Sequence, residues 1–310
     1  MGSVDPWPRV SVIVPCHNLG MEAERLVSAL LAQDHPAELV FVDDGSTDET
    51  SKRLGELLSG ITSARVVTHG KNRGRAAARN TGVAVATGEV LLFLDDDMEP
   101  EPDFVRAHAE EHLRPEVVGV ISVPMLEGLD LDEPYHQYLK DRHGAAGLTP
   151  GEPVPFRYFI IGYTSVKARV VQAVGGFDER FSYGEDIDFA YRLAQRYPDG
   201  LFVSRRAIVH HYDHGTLDDR LAKLRTFGRE NLPLLLDKHP GIATAANLDF
   251  VEPATSLLFQ VKHLALSLVP ASTLRGILLR IPRPLRSVAV RYLMAATIAE
   301  AYRESLRPGV

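Results

Sequence analysis

The sequence predicts an α/β fold in which a mostly parallel sheet carries helices on both faces, and three observations predict it. Short apolar runs without polar alternation, such as Glu89-Val90-Leu91-Leu92-Phe93-Leu94, read as strands covered on both sides. Segments with helical spacing separate these runs at lengths suited to crossover connections. Acids gather where the runs end, and in an open parallel sheet that edge is where ligands bind.

Residues 9–14 form the first expected strand, broken by Pro15 and Asn18, and residues 21–33 carry helical spacing through Leu26, Ala29 and Leu30. Residues 38–42 form the second strand. It ends in Asp43-Asp44 and opens into Gly45-Ser46-Thr47-Asp48, a glycine turn with capping residues that starts a helix over residues 48–58. A third strand is expected at residues 64–68, an alanine-rich helix at 75–86, and a fourth strand at 89–94 that delivers Asp95, Asp96 and Asp97 to the same edge. Adjacent carboxylates repel one another unless a cation neutralises them. An all-oxygen cluster suits Mg²⁺ or Mn²⁺ better than a thiolate-seeking metal. Taken alone, either acidic cluster also fits a solvated turn.

Further along, residues 185–193 read as a helix with Ile187, Ala190, Tyr191 and Ala194 as its buried stripe. Glu185 and Asp186 stand in its first turn, where acids favour the helix dipole whatever else they do. Residues 207–209 read as a strand, followed by His210-His211-Tyr212-Asp213-His214. The spacing of His210 and His214 suits zinc, yet His211 occupies the place of the glutamate that a zinc protease needs, which argues against a zinc hydrolase. A histidine at the end of that strand could instead complete a metal shell, with His210 preferred over His211.

Five blocks then make a pattern. Val12-Ile13-Val14-Pro15-Cys16-His17-Asn18, Val42-Asp43-Asp44-Gly45-Ser46-Thr47-Asp48, Asn72-Arg73-Gly74-Arg75 running on to Arg79-Asn80-Thr81-Gly82, Phe93-Leu94-Asp95-Asp96-Asp97 and Gly184-Glu185-Asp186-Ile187-Asp188-Phe189 together resemble the family 2 inverting glycosyltransferases. The resemblance implies a Rossmann-like GT-A fold and transfer of a sugar from a nucleotide diphosphate donor, a UDP-sugar in the first instance, to an acceptor hydroxyl. By the same resemblance Pro15, Asn18, Asp43, Asp44, Arg75, Arg79, Asp95 and Asp96 lie along the nucleotide, with Asp44 on the uracil and Asp96 near the ribose. Asp97, with Asp95 and His210, would surround a divalent cation, Mn²⁺ or Mg²⁺. Asp186 matches the general base, and Glu185 beside it orients the acceptor or the helix start. These roles agree with the chemistry, because a diphosphate leaving group needs its charge neutralised and a hydroxyl nucleophile needs a carboxylate to take its proton. His17 stands where the family often has an aromatic or aliphatic residue, which leaves thymidine and guanosine diphosphate sugars open. The turn Gly175-Gly176-Phe177 resembles the one that brings the acceptor base into the cleft, and the loop at residues 126–156 is expected to cover the acceptor side.

Composition fits this expectation. The single cysteine, Cys16, excludes an internal disulfide and suits a reducing compartment, the amino terminus carries no signal-sequence pattern, and a cytoplasmic location is expected. A hydrophobic fraction of 45% supports a sizeable core. Residues 1–215 hold 21 Lys/Arg against 33 Asp/Glu, an acidic glycosyltransferase domain with no nucleic-acid partner, whereas residues 216–310 hold 13 against 8 and form a basic helical extension. Helices are expected there at residues 217–237, 254–268, 274–279 and 287–304, broken by Pro270, Pro282 and Pro284. Leu257, Leu258, Phe259, Val261, Leu264, Leu266 and Leu268, with Arg275, Arg280 and Arg283, could lie on the inner membrane face and serve a lipid-linked acceptor. The same helices could instead pack on the catalytic domain or pair two copies as a homodimer. No run is long and apolar enough to span a bilayer, since Lys262 and His263 interrupt the best one.

Two rival classes make different demands. A sugar nucleotidyltransferase or pyrophosphorylase calls for a glycine-rich basic loop after the first strand, which Pro15-Cys16-His17-Asn18-Leu19-Gly20 is not. A non-catalytic nucleotide-sugar binding protein would not need acids at all three blocks. The processive polymer synthases of the family carry Gln-x-x-Arg-Trp, and here the only tryptophan is Trp7.

Overall fold

Strand β1 (Val10–Cys16) is buried at every position, and in the computed structural model the sheet grows outward from it; residues 7–142, 147–212, 214–251 and 271–307 are described. In chain order the first unit continues with α1 (Glu22–Leu31), β2 (Ala37–Asp43), α2 (Thr50–Leu57), β3 (Ala64–Thr68), α3 (Arg75–Val85) and β4 (Val90–Leu94). Then come β5 (Met98–Pro100), α4 (Phe104–Glu111), β6 (Gly119–Leu126) and, after α5 (Pro134–Asp141) of the second unit, β7 (Tyr163–Lys167), α6 (Ala168–Ala173), α7 (Glu185–Arg196) and β8 (Leu201–His211). The strands lie in the order β3-β2-β1-β4-β7-β6-β8-β5. Strands β3, β2, β1 and β4 are mutually parallel, as is β6 with β8, while β7 and β5 run antiparallel to their neighbours. The α/β class and the run of parallel strands from residues 10 to 94 match the expectation.

Four corrections follow from packing. Pro15 does not break β1, because the ladder to β4 ends at Ile13 and Pro15 pairs only with Val42 of β2, where a missing N–H is tolerated. Strands β5, β6 and β7 were not anticipated, and α5 lies inside the segment expected as a long loop. Helix α7 buries Phe189, Ala190 and Leu193 together with Glu185 and Asp188, so only Ala190 of the expected stripe is core. Phe189 stacks on Phe177 at 4.6 Å between centroids, and this large ring sets the rotation of the helix. Helix α3 lies close on β1, because a Cβ at Gly82 would fall 2.3 Å from Ile13 Cγ2.

The second unit comprises Gly128–His143, Phe181–Gly184 and His214–Val310. Its helix α8 (Leu217–Thr226) begins with a capping box between Thr216 and Asp219. A π-helical turn at Phe227–Asn231 then interrupts the helix expected over residues 217–237, and α9 (Leu232–Lys238) continues it. Ala271–Ile277 is helical and Leu278–Arg280 forms a tight turn beyond it. The last helix, Arg283–Ser305, starts earlier than expected because Pro284 lies in its first turn, where a proline costs no hydrogen bond. Tyr135, Leu217, Leu278, Val290, Leu293 and Ala296 form the core of this unit. The helix expected at residues 254–268 lies outside the described residues. Among those described, no helix is long and apolar enough to cross a membrane.

Candidate active site

The carboxyl ends of β2, β1 and β4 lie side by side, and three loops are knitted together there. Asn18 adopts a left-handed φ of 54°, and its Oδ1 accepts the Thr47 N–H at 2.8 Å while its own N–H donates to Ser46 Oγ at 2.9 Å. Asp43 is buried and caps the next turn through the Ser46 N–H at 3.0 Å. Asp44 is also buried. Its Oδ1 accepts from His69 Nδ1 at 2.6 Å and from Arg73 N–H at 2.9 Å, and its Oδ2 from Gly74 N–H at 2.7 Å. With about four acceptor sites on a carboxylate, Oδ2 keeps one lone pair for a ligand. Gly45 is required here, because a Cβ on it would lie 2.3 Å from the Lys71 carbonyl carbon. His17 reaches back to the same loop, its Nδ1 3.1 Å from Asp44 O and its N–H 3.3 Å from Asp96 Oδ2.

The three aspartates after β4 occupy different environments. Asp95 meets Arg79, whose Nη2 donates to its Oδ1 at 2.7 Å, and its backbone N–H donates to Gly162 O at 2.8 Å. A Cβ at Gly162 would collide with its Oδ2 at 2.2 Å. Burial alone would raise the Asp95 pKa, but Arg79 and Arg75 outweigh it and hold the carboxyl below its ordinary value. Asp96 is pushed up to about 7, first by burial and then by the charges of Asp95 and Asp97. Asp97 places Oδ2 3.2 Å from His211 Nε2, while its Oδ1 is buried without a hydrogen-bond partner among the described residues. A carboxylate with one oxygen orphaned and the other facing an imidazole fits a divalent cation. Among the described residues no three His, Cys, Asp or Glu side chains converge as a cage, so oxygens of a bound ligand would have to complete the shell, as hard cations accept.

The preferred histidine is thereby corrected. β5 pairs antiparallel with β8, setting Met98 opposite His211, and neighbouring strand residues point to opposite faces. His211 therefore meets Asp97, while His210 lies between Glu101 at 2.7 Å and Glu127 at 2.9 Å. The Glu101 bond, with that of Glu127, raises the His210 pKa against the effect of burial.

Glu185 and Asp186 open α7, and the preceding turn is anchored to α3. Asn80 accepts the Phe177 N–H at 2.9 Å and donates to Phe177 O at 2.8 Å. Arg192 donates to Asp188 Oδ2 at 2.6 Å and to Gly176 O at 2.7 Å. The two acids then divide. Glu185 is 3% exposed and takes Arg79 Nη1 at 2.5 Å on Oε1, with Arg75 Nε 3.6 Å away. Asp186 is half-buried and accepts the Ile187 N–H at 2.9 Å. Burial, and after it the Glu185 charge, pushes its pKa up to about 6.

Of the residues expected along a nucleotide, Arg75 is exposed, Asp96 half-buried and Asp44 buried. Pro15 and Asp43 are buried in the strand and turn, and Arg79, 1% exposed, stands behind the site bridging Asp95 and Glu185. Gly162 and His69 are absent from the sequence-based site, and His211 stands there only as the less preferred alternative to His210. His69 follows the third strand and His211 lies within the tight histidine cluster, and only the tertiary pairing shows what each one faces.

The family model described as "Glycosyl transferase family 2" matches residues 11–169. The chain is 30% identical over 239 residues to the pre-mycofactocin glycosyltransferase of Mycobacterium tuberculosis, covering 74% of this chain and 48% of that protein. It thus spans about half the length of that relative. It is similar in structure to a mannosyltransferase from Pyrobaculum calidifontis in complex with GDP-Man and Mn²⁺, with TM-score 0.63 and 20% identity over 97% of this chain and 89% of that one. S. aureus TarS 1–349 in complex with UDP-GlcNAc gives TM-score 0.55 and 19% identity over 96% and 92% of the two chains. At these identities the likeness concerns the fold, a GT-A type α/β sheet.

The raised Asp186 pKa has a stability consequence whose sign can be stated. A carboxyl lifted from 3.8 to about 6 on folding contributes stability that is complete below 3.8 and lost as the pH rises through about 6. Asp186→Asn removes this contribution. Chemical denaturation of the two proteins should show the variant gaining on the wild type between those pH values, and parallel curves would contradict the assignment.

Proposed function

This chain belongs to glycosyl transferase family 2, and on that premise we propose that it transfers a sugar from a uridine diphosphate sugar to an acceptor hydroxyl by single displacement with inversion. The observation that carries the mechanism is the division of the two acids at the start of α7. Glu185 is consumed by Arg79, and Asp186 is left half-buried with a pKa of about 6. A carboxylate poised near neutrality can take a proton from the attacking hydroxyl and is ionised at the working pH. One base suffices for a direct displacement.

The donor side follows from the other two loops. The remaining lone pair of Asp44 Oδ2 would accept the uracil N3–H, and the Asp44 carboxylate is already fixed by His69 and two backbone N–H groups. UDP-GlcNAc bound in TarS supports a uridine donor, and GDP-Man in the Pyrobaculum enzyme makes guanosine the comparison to test. Asp97 and His211 would hold a divalent cation, Mn²⁺ or Mg²⁺, which when bound neutralises charge on the departing diphosphate. Asp96 lies between that site and His17, within reach of a ribose. Arg75, half-exposed beside Glu185, would turn toward the diphosphate.

Calorimetry and turnover separate these roles. UDP should bind more tightly than GDP, more tightly with Mn²⁺ than with chelator, and Asp97→Ala should remove the increment due to metal. Asp186→Asn should keep that affinity while turnover falls by about two to four orders of magnitude. Equal binding with metal and chelator would remove the Asp97 site, and near-normal turnover in the Asp186 variant would remove the base.

The C-terminal helices bear on the acceptor. Residues 253–299 hold six Lys/Arg and no Asp/Glu. Within the described part Ile277, Leu279, Leu285 and Val288 are exposed, and Arg286 binds Leu279 O and Ile281 O, each at 3.0 Å, holding the turn beside the last helix. Exposed apolar side chains in an acid-free basic segment support peripheral contact with an anionic membrane, where a lipid-linked acceptor would reside. The protein should cosediment with phosphatidylserine vesicles, less at high salt, and Leu279→Glu with Leu285→Glu should release it. A soluble dimer abolished by the same pair would favour contact between copies instead.

A further inference from the structure

In the second unit one half-buried guanidinium has no carboxylate partner among the described residues. Arg220 lies in the first turn of α8, the positive end of the helix dipole, where a cation is disfavoured. Its Nη1 donates to the Tyr183 hydroxyl at 2.5 Å, and its Nε is buried without a hydrogen-bond partner among the described residues. The groups that act on it electrostatically are the phenols of Tyr183, Tyr135 and Tyr138, and Tyr135 and Tyr138 stack with centroids 6.1 Å apart.

The acids at this helix end are committed elsewhere. Asp219 Oδ2 accepts the Thr216 N–H at 2.9 Å and its hydroxyl at 2.6 Å. Glu133 Oε1 accepts the Leu217 N–H at 2.9 Å and the Tyr135 N–H at 3.4 Å. Asp218 pairs with Arg275. None of them forms an ion pair with Arg220. A half-buried cation with no carboxylate beside it among the described residues is costly in a folded protein, and its unpaired Nε–H belongs to the planar fork that carboxylates and phosphates accept.

We propose that Arg220, with Tyr183, Tyr135 and Tyr138, forms a subsite for an anionic group, a phosphate or a carboxylate, on the acceptor. Tyr183, Tyr135, Tyr138 and Arg220 all belong to the second unit. Assigning the anion to the acceptor rests on the glycosyl-transfer reading, whereas the anion site itself does not.

The test uses the full chain without divalent cation, titrated with inorganic phosphate and with decyl phosphate. Binding of both indicates that the phosphate alone is recognised, and binding of decyl phosphate only indicates a phosphate carried on a lipid-like tail. In either case Arg220→Gln should weaken binding about tenfold or more, the worth of a hydrogen bond to a charged group, while the affinity for UDP with Mn²⁺ stays unchanged. Failure of both anions to bind, or equal binding by the variant, overturns the subsite and leaves the donor reading intact. Loss of UDP binding with phosphate binding preserved would sink the donor reading alone. Arg220→Met supplies the structural control. Its denaturation midpoint should be unchanged or higher, because an uncompensated charge has been removed, and a lower midpoint would make Arg220 a structural cation and overturn the proposal.

Discussion

A single buried guanidinium joins the two halves of the candidate site. Arg79 reaches from α3 to Asp95 at the end of β4 and to Glu185 at the start of α7, at 2.7 and 2.5 Å. Removing one partner from such a buried pair typically costs about 3–5 kcal/mol, because the remaining charge is left uncompensated. The geometry of both acids is therefore set before any ligand arrives. Gly162 leaves room for Asp95 on one side and the Asn80 clamp fixes the Gly176–Phe177 turn on the other, so the guanidinium has little freedom to choose other partners.

The bridge also distributes charge unequally. Asp95 is held below its ordinary value by Arg79 and Arg75, so Asp96 and Asp97 meet a negative charge on one flank, and this charge adds to burial in raising Asp96 to about 7. At the start of α7 Glu185 serves the guanidinium, and its charge adds to burial in raising its neighbour Asp186 to about 6. Three carboxylates in a row and two more on a helix end would be unstable as equals. The structure avoids this by giving one of each group to arginine.

The parts of this arrangement visible in the sequence are those that depend on local pattern. Strands β1 to β4 are unalternated apolar runs, and the acids at their ends follow from chain direction. Strand β7 was missed because Thr164 and Ser165, both fully buried, look like loop residues until their partners are known. Thr164 donates to Ile160 O at 2.6 Å, and Ser165 Oγ meets His108 and His112 at 2.8 Å each. The choice between His210 and His211 turns on one residue of strand parity, which is set by pairing with β5, a strand of three residues ending in proline. Arg79 could be placed in a helix from the sequence, but whether it faced a nucleotide or the interior depended on which side of α3 packs against the sheet.

The coupling of Arg79, Glu185 and Asp186 is the central claim, and the pH dependence of kcat/KM in Glu185→Gln tests it most directly. In the wild type the acid limb should lie near about 6, where Asp186 titrates, since this ratio reports groups of the free enzyme. Neutralising Glu185 removes the neighbouring negative charge and leaves Arg79 less compensated, and both changes favour the ionised Asp186. The limb should therefore move to lower pH in the variant. A limb that stays in place would show that Asp186 is not coupled to Glu185, and one that moves upward would contradict the account outright.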